Sequence, residues 1–443
     1  MTEKVLILGL SKSGIAAAKL GINIGYDVYL SEGKSEVNEL QVKELENMGI
    51  KVEYGSHSNN FIEGSSFAIT SPGIPPKSDI FKRLQEKNIP IISEVEFAYQ
   101  NTDIPFIAIT GTNGKTTTTA LVSHILKTDF NSPVCGNIGI PPTSLIEDEE
   151  IDFLVAEISS YQAQMTEKFK PFISCWTNFT PDHIDWHDGL ENYFNAKAKL
   201  FSQKQAPNYA IFNAKDEKLL EFSKKCKKSK VFLFDTEDYP NCAFIKNDAI
   251  YYKEDNNEEK IIDLKDCPLV GHHNYQNIMC GIICAKICGV ENEDIRTQIM
   301  SFKAPEHRLE KVREMDGITF YNDSKATNPE ASIVAIESFN GVNISLILGG
   351  RDKNTDLTQM CKSINKHIKT VILIGEATER FEENLKKNGF DNIIKEETLQ
   401  SAIDTSIKIK PDVVLLSPAC ASFDMFKSYE HRGEVFKEYV LSK

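Results

Sequence analysis

The chain has 443 residues, of which 41% are hydrophobic and 26% charged. That is the profile of a soluble globular protein too long for one ordinary core, so two or three domains are expected. With 64 acidic against 50 basic residues the formal charge is −14, which excludes a general nucleic-acid binder, since neutralising phosphates needs a basic face.

The opening "MTEKVLILGL" runs straight into a strand without a charged leader, so no signal peptide is expected. No stretch approaches the roughly 18 apolar residues of a spanning helix. A cytoplasmic chain without membrane contact follows as the expectation. The ten cysteines show no C-x-x-C pair and no metal-type spacing.

In chain order, the pattern predicts a strand at 4–10, a helix at 13–25, a second strand at 27–32 and a third at 66–76 that ends in a Pro/Gly turn. Strand–helix–strand alternation implies a parallel sheet. A fresh unit opens at 101–110, with further strands at 151–159, 172–179 and 208–214. Hairpin-like segments over 235–264 read as an antiparallel edge, and a helix at 274–288 closes the unit. Cys280, Cys284 and Cys288 recur at helical spacing and are expected as small buried hydrophobes. The last part carries strands at 317–323, 344–350, 370–376 and 412–418. Each ends in small or polar residues, where open α/β sheets place ligands. The fold class is α/β, in three domains spanning 1–95, 96–302 and 303–443.

The stretch "IAITGTNGKTTTT" has the context of a phosphate loop: an apolar strand, a glycine turn and a helix start. It is short, because Gly111 stands only three residues before Gly114, whereas the usual loop runs G-x-x-x-x-G-K-[ST]. Gly111, Thr112, Asn113 and Gly114 would turn backbone N–H groups toward phosphate, and the helix dipole adds to the attraction. Lys115 is placed to reach the terminal phosphates, and the Thr116 or Thr117 hydroxyl to ligate Mg²⁺. Glu157 ends a strand, where a carboxylate holds Mg²⁺ or polarises water. His183, Asp185, His187 and Lys197 cluster within 183–197. The H-x-x-x-H pair lacks a third zinc ligand at a familiar spacing. Near the N-terminus, "GLSKSG" (9–14) imitates a dinucleotide fingerprint, but Ser11 stands where close approach to a pyrophosphate needs glycine.

T-G-T-N-G-K-T-T, G-N-I-G (136–139), E-I-S-S-Y-Q (157–162), T-P-D-H-I-D (180–185), Y-F-N-A-K-A-K-L-F (193–201), G-H-H-N-Y-Q-N (271–277) and E-H-R-L-E (306–310) follow in order. Together they resemble the Mur ligase family, the ATP-dependent amide-forming enzymes of peptidoglycan precursor synthesis, over nearly the whole chain. The resemblance implies a Rossmann-like N-terminal domain that holds UDP, a central P-loop ATPase-type domain and a Rossmann-like C-terminal domain. It assigns the ATP phosphates to Lys115, the metal to Thr116, Thr117, Glu157 and His183, and a carbamylated, metal-binding lysine to Lys197 rather than Lys199. Asn274 and Asn277 would face the adenine, while Arg308 and Asp323 would close on ATP. The UDP-linked substrate falls to Lys12, Ser13, Gly33, Lys34, Ser71, Gly73, Asn137 and His183.

In the third domain, "YNDSKATNPEAS" (321–332) and "LSPACASFDMFKSYEHRG" (416–433) resemble the branch of the family that adds D-glutamate to UDP-N-acetylmuramoyl-L-alanine. Lys325, Thr327, Lys353, Ser422 and Phe423 match its D-glutamate contacts. Other acceptor types in the family, folylpolyglutamate synthetases included, carry a histidine in the first stretch, which this chain lacks; they are the alternative reading. The expected chemistry is an acyl phosphate made from ATP and taken by an amine, in a monomer.

Overall fold

The structure, a computed structural model, describes residues 2–443 apart from 183, 203, 205, 270, 304, 305, 340, 353 and 354; of Asp185 and Glu330 it describes the backbone alone. His183 and Lys353 therefore lie outside the described residues. Among the described residues the strands form three sheets, of five, nine and six. The chain divides into two units, Met1–Cys267 with Gln276–Phe302, and Pro268–Tyr275 with Lys303–Lys443. The first two sheets lie in the first unit and the third in the second.

The first sheet contains β1 (Lys4–Leu8), β2 (Asp27–Glu32), β3 (Lys51–Tyr54), β4 (Phe67–Thr70) and β5 (Ile91–Ser93). They are parallel in the order β3-β2-β1-β4-β5. Val5, Leu6, Ile7 and Leu8 are all fully buried, as a strand covered by helices on both faces requires. The order reverses between β1 and β4, so the turns after those two strands open a ligand crevice.

The second sheet comprises β6 (Phe106–Thr110), β7 (Val134–Gly136), β8 (Leu154–Glu157), β9 (Ile173–Trp176), β10 (Tyr209–Asn213), β11 (Lys230–Phe234), β12 (Cys242–Lys246), β13 (Ala249–Glu254) and β14 (Asn257–Asp263). Its order is β14-β13-β12-β11-β10-β9-β6-β8-β7, with antiparallel pairing confined to β12–β14. The expected antiparallel edge is therefore present. The helix His272–Cys288 buries Cys280 and Cys284 completely.

The helix Glu94–Gln100 fastens the first sheet to the second. The Ser93 amide donates to the Met165 carbonyl at 2.8 Å. Glu94 Oε1 accepts from the Thr143 amide and hydroxyl at 2.8 and 2.6 Å. Glu96 accepts from the amides of Glu167, Lys168 and Phe169 at 2.8–2.9 Å. Both carboxylates are buried, where such donors replace the lost water.

The third sheet contains β15 (Glu310–Met315), β16 (Ile318–Asn322), β17 (Ile344–Gly349), β18 (Thr370–Ile374), β19 (Ile393–Lys395) and β20 (Val413–Leu416), in the order β15-β16-β20-β17-β18-β19. Only β15 runs antiparallel. The carboxyl ends of β16, β20 and β17 thus stand side by side.

Candidate active site

The phosphate loop follows β6, between the ends of β8 and β9. Gly111 has φ +150°, and a Cβ there would meet Thr177 Oγ1 at 1.9 Å. Gly114 opens the helix Lys115–Leu126 at φ +81°, and a Cβ there would meet Asn277 Oδ1 at 2.7 Å. Only glycine meets both the backbone and the space requirement. The loop is pinned from outside. Thr177 Oγ1 donates to the Asn113 carbonyl at 2.6 Å. Asn178 accepts the Asn113 amide through Oδ1 at 2.8 Å and donates to its carbonyl through Nδ2 at 3.0 Å. Thr112 Oγ1 donates to the Thr180 carbonyl at 3.0 Å. Residues that follow β9 thus hold the short loop in place.

Inside the loop Lys115 Nζ donates to the Gly111 and Thr112 carbonyls at 3.0 and 2.8 Å, placing a cation at the mouth of the turn. Beside it, Thr116 Oγ1 donates to Glu157 Oε2 at 2.8 Å. Thr117 is buried. Lys197 is 1% exposed, and its Nζ donates to the Gly111 carbonyl at 2.7 Å and contacts Thr110 Oγ1 at 3.3 Å. Burial, and then the charge of Lys115, hold the Lys197 amine well below the usual lysine range. Lys199 turns away to the Gln164 and Thr166 carbonyls.

The crevice of the first sheet has a volume of about 370 Å³ and is lined by Ser11, Lys12, Ser13, Glu32, Lys34, Ser71 and Gly73, with Asn137 and Gln162 from the second sheet. Ser11 Oγ lies 2.7 Å from Ser71 Oγ, joining the turns that follow β1 and β4. Glu32 accepts the amides of Leu10 and Lys34, both at 2.9 Å. Gly33 packs on His57. Asn137 connects this crevice to the loop, since its Nδ2 donates to Glu157 Oε1 at 2.7 Å. Asn277 reaches the loop through Thr118 Oγ1 at 3.1 Å. Asn274 is buried three residues earlier on the same helix.

In the second unit, Asp323 is fully buried just after β16. It faces Arg308 at 3.6 Å and accepts from Ser417 Oγ at 2.8 Å and the Leu309 amide at 3.2 Å. Burial pushes its carboxyl up to about 6, against the pull of Arg308. Lys325 stands 5.8 Å over the Tyr429 ring, and Thr327 is half-buried. Ser422 is buried after β20, whereas Phe423 is exposed. Arg432, itself 1% exposed, ties the two loops together. Its Nε donates to Ser324 Oγ at 2.9 Å, and its Nη atoms donate to the Ser324 and Cys420 carbonyls at 2.8 and 3.2 Å.

Comparison with known proteins bears on both units. A family model described as the Mur ligase middle domain matches residues 109–285, and one described as the Mur ligase, glutamate ligase domain, matches 307–420. The UDP-N-acetylmuramoylalanine–D-glutamate ligase of Thermoanaerobacter pseudethanolicus is 40% identical, covering 99% of this chain and 98% of its own. The chain belongs to the Mur ligase family. A ligase of the same description from Koribacter versatilis is 39% identical, covering 99% of this chain and 97% of its own. The fold is also that of MurF from Acinetobacter baumannii, at a TM-score of 0.64 and 16% identity, covering 99% of this chain and 93% of that one.

As a Mur ligase the chain is an ATP-dependent ligase. Lys115, Thr116, Glu157, Lys197, Asn137 and Asn277 come together around one loop. Thr177 and Asn178, which pin the loop, escape a reading of the sequence, and Arg432 of the second unit lies within the stretch 416–433 without a role having been read for it. Among the described residues no group of three or more His, Cys, Asp or Glu is gathered for a metal. The oxygen pair of Thr116 and Glu157 instead suits a hard ion held in part by phosphates. No helix among the described residues is long and apolar enough to cross a membrane.

Proposed function

We propose that this ligase joins the carboxyl of UDP-N-acetylmuramoyl-L-alanine to the amine of D-glutamate at the expense of ATP, in peptidoglycan precursor assembly. The names of its relatives support the reading. The observation that carries it is the bridge Thr116–Glu157–Asn137, with bonds of 2.8 and 2.7 Å, which runs from the phosphate loop to the crevice. ATP bound on the loop and a substrate in the crevice would meet there.

Lys115 exchanges its two carbonyl contacts for the β- and γ-phosphates and balances charge as the substrate carboxylate oxygen attacks the γ-phosphorus and ADP departs. Asn277 and Asn274 serve the adenine. Arg308 and Asp323 serve the ATP from the second unit. Lys325, Thr327, Ser422, Phe423 and Lys353 orient D-glutamate, whose two carboxylates call for cationic and hydroxyl donors. Its amine attacks the acyl carbon, inorganic phosphate leaves, and the amine gives up a proton.

Lys12, Ser13, Gly33, Lys34, Ser71, Gly73, Asn137 and His183 hold the UDP-linked substrate. Thr116, Thr117, Glu157, His183 and Lys197 would hold Mg²⁺, which offsets phosphate charge when bound. An ammonium at Lys197 would repel such an ion. Its buried amine, held well below the usual lysine range, is instead suited to add to CO₂, losing a proton to become an anionic carbamate. The chain acts in the cytoplasm, where ATP is supplied, and as a monomer.

The acceptor is tested by measuring ADP release and product formation on UDP-N-acetylmuramoyl-L-alanine with each candidate amino acid. D-glutamate is expected to be the efficient acceptor. Turnover with L-alanine or a diamino acid but not D-glutamate would overturn the assignment.

A further inference from the structure

Arg308 is carried between two residues in the left-handed region, His307 at φ +65° and Leu309 at φ +43°. Such backbone is uncommon outside glycine and persists only where its surroundings over-determine it. Here they do. The His307 amide donates to Glu310 Oε2 at 2.9 Å, and its carbonyl accepts the Lys325 amide at 3.0 Å. Glu310 is itself anchored, through Oε1, to Lys437 Nζ at 2.5 Å.

The buried His307 ring adds a contact that depends on its side chain. Asn322 Oδ1 accepts the Ser324 amide at 3.1 Å, which fixes which way the Asn322 side chain points. Its Nδ2 is therefore the atom that faces His307 Nδ1 at 2.9 Å and Glu310 Oε2 at 3.1 Å. An amide nitrogen only donates, so Nδ1 is the accepting nitrogen of the ring and Nε2 carries the hydrogen. The helix Tyr429–Leu441 closes on the same atom, since a Cβ on Gly433 would stand 2.2 Å from Nδ1. Only glycine there leaves the ring its place.

The proposed chemistry uses none of these side-chain contacts, yet they enclose the residue whose guanidinium stands 3.6 Å from Asp323. We propose that His307 is a positioning residue for Arg308. Its Nδ1, locked to Asn322, holds the left-handed turn that presents the guanidinium beside Asp323. Without that acceptor the turn relaxes and carries the long Arg308 side chain off its place, and a small misplacement of a charge that serves a phosphate ester is costly. The inference rests on the reading that Arg308 serves the ATP.

The test is steady-state kinetics of the full chain with His307→Asn and His307→Leu. The two replacements are close in shape. Asn offers Oδ1 about where Nδ1 stands and tolerates the left-handed region, whereas Leu does neither. His307→Leu is expected to raise the KM for ATP by about 10-fold or more and to leave that for the UDP-linked substrate within about 2-fold. His307→Asn should stay within about 3-fold of wild type in both. Adding His307→Leu to Arg308→Met should cost nothing further, because a residue that acts through Arg308 then has nothing to act on. Equal losses with Asn and Leu, or a further loss on top of Arg308→Met, would mark a merely structural role and overturn the proposal. Where His307→Leu does not fold, Asn322→Ala removes the donor from the far side. It should reproduce the rise in the KM for ATP, and an unchanged value there also overturns the proposal. If Arg308→Met itself leaves the KM for ATP unchanged, the parent reading of Arg308 fails, and this inference with it.

Discussion

The chain uses the strand–glycine–helix turn twice in its first unit, and the two turns end differently. After β1, Ser11 caps the helix Lys12–Asn23, its hydroxyl accepting the Gly14 amide at 3.2 Å. Gly14 presses so close that a Cβ would meet the Gly9 carbonyl at 2.0 Å. After β6, Gly114 opens the next helix in the left-handed region, with no side-chain cap. A helix start attracts an anion through its free N–H groups, and in the first turn the chain satisfies one of them itself. The second turn has no side-chain cap at its helix start, but Asn178 takes the amides of Thr112 and Asn113, so these two loop N–H groups, expected to face phosphate, are already held from outside. Resemblance between two glycine turns therefore says little about phosphate binding; what matters is whether the protein fills its own donors.

Removing the cation from each turn should break the comparison most sharply. Lys115→Ala is expected to lower ADP release by about 10³-fold, roughly 4 kcal/mol of transition-state stabilisation. Lys12→Ala, at an exposed position, should cost less than about 10-fold. Comparable losses in steady-state assays would remove the distinction.

A stability effect confined to the second turn comes next. Unfolded, Lys197 binds a proton up to about its ordinary value of 10.5, while folded it releases that proton far lower. Between those limits the unfolded chain binds more protons, so stability rises with pH across the window. Lys197→Met should raise the urea midpoint of the unliganded protein at pH 7, with the gain shrinking toward pH 10.5, while ligase activity falls. A lowered midpoint at pH 7 would contradict an amine whose proton affinity burial depresses. The smallest effect belongs to the first turn. Ser11→Ala should cost about 1 kcal/mol in chemical denaturation and Ser11→Gly only a few tenths.

Lys115, Thr116 and Glu157 were legible in the sequence because their chemistry is written in local spacing, at the end of a strand or the start of a helix. Thr177 and Asn178 were not. They meet the loop across 64 and 65 residues of chain, and a lone Thr or Asn bears no mark of a distant partner. Strands split the same way. β1, β6 and β17 are apolar runs buried on both faces, whereas β7 and β19 have three residues each and β15 is a partly exposed edge strand. Such strands owe their existence to a neighbour rather than to a pattern of their own.

The helix Glu94–Gln100 also sets a timetable for synthesis. Glu96 closes on amides 71 to 73 residues further along the chain. At 5–20 residues per second, a ribosome takes roughly 4–15 s to deliver them. Through that interval the nascent first sheet carries a carboxylate whose partners have not yet been made, and water must solvate it. The N-terminal segment is thus completed late, by the arrival of its successor, rather than released as a finished piece.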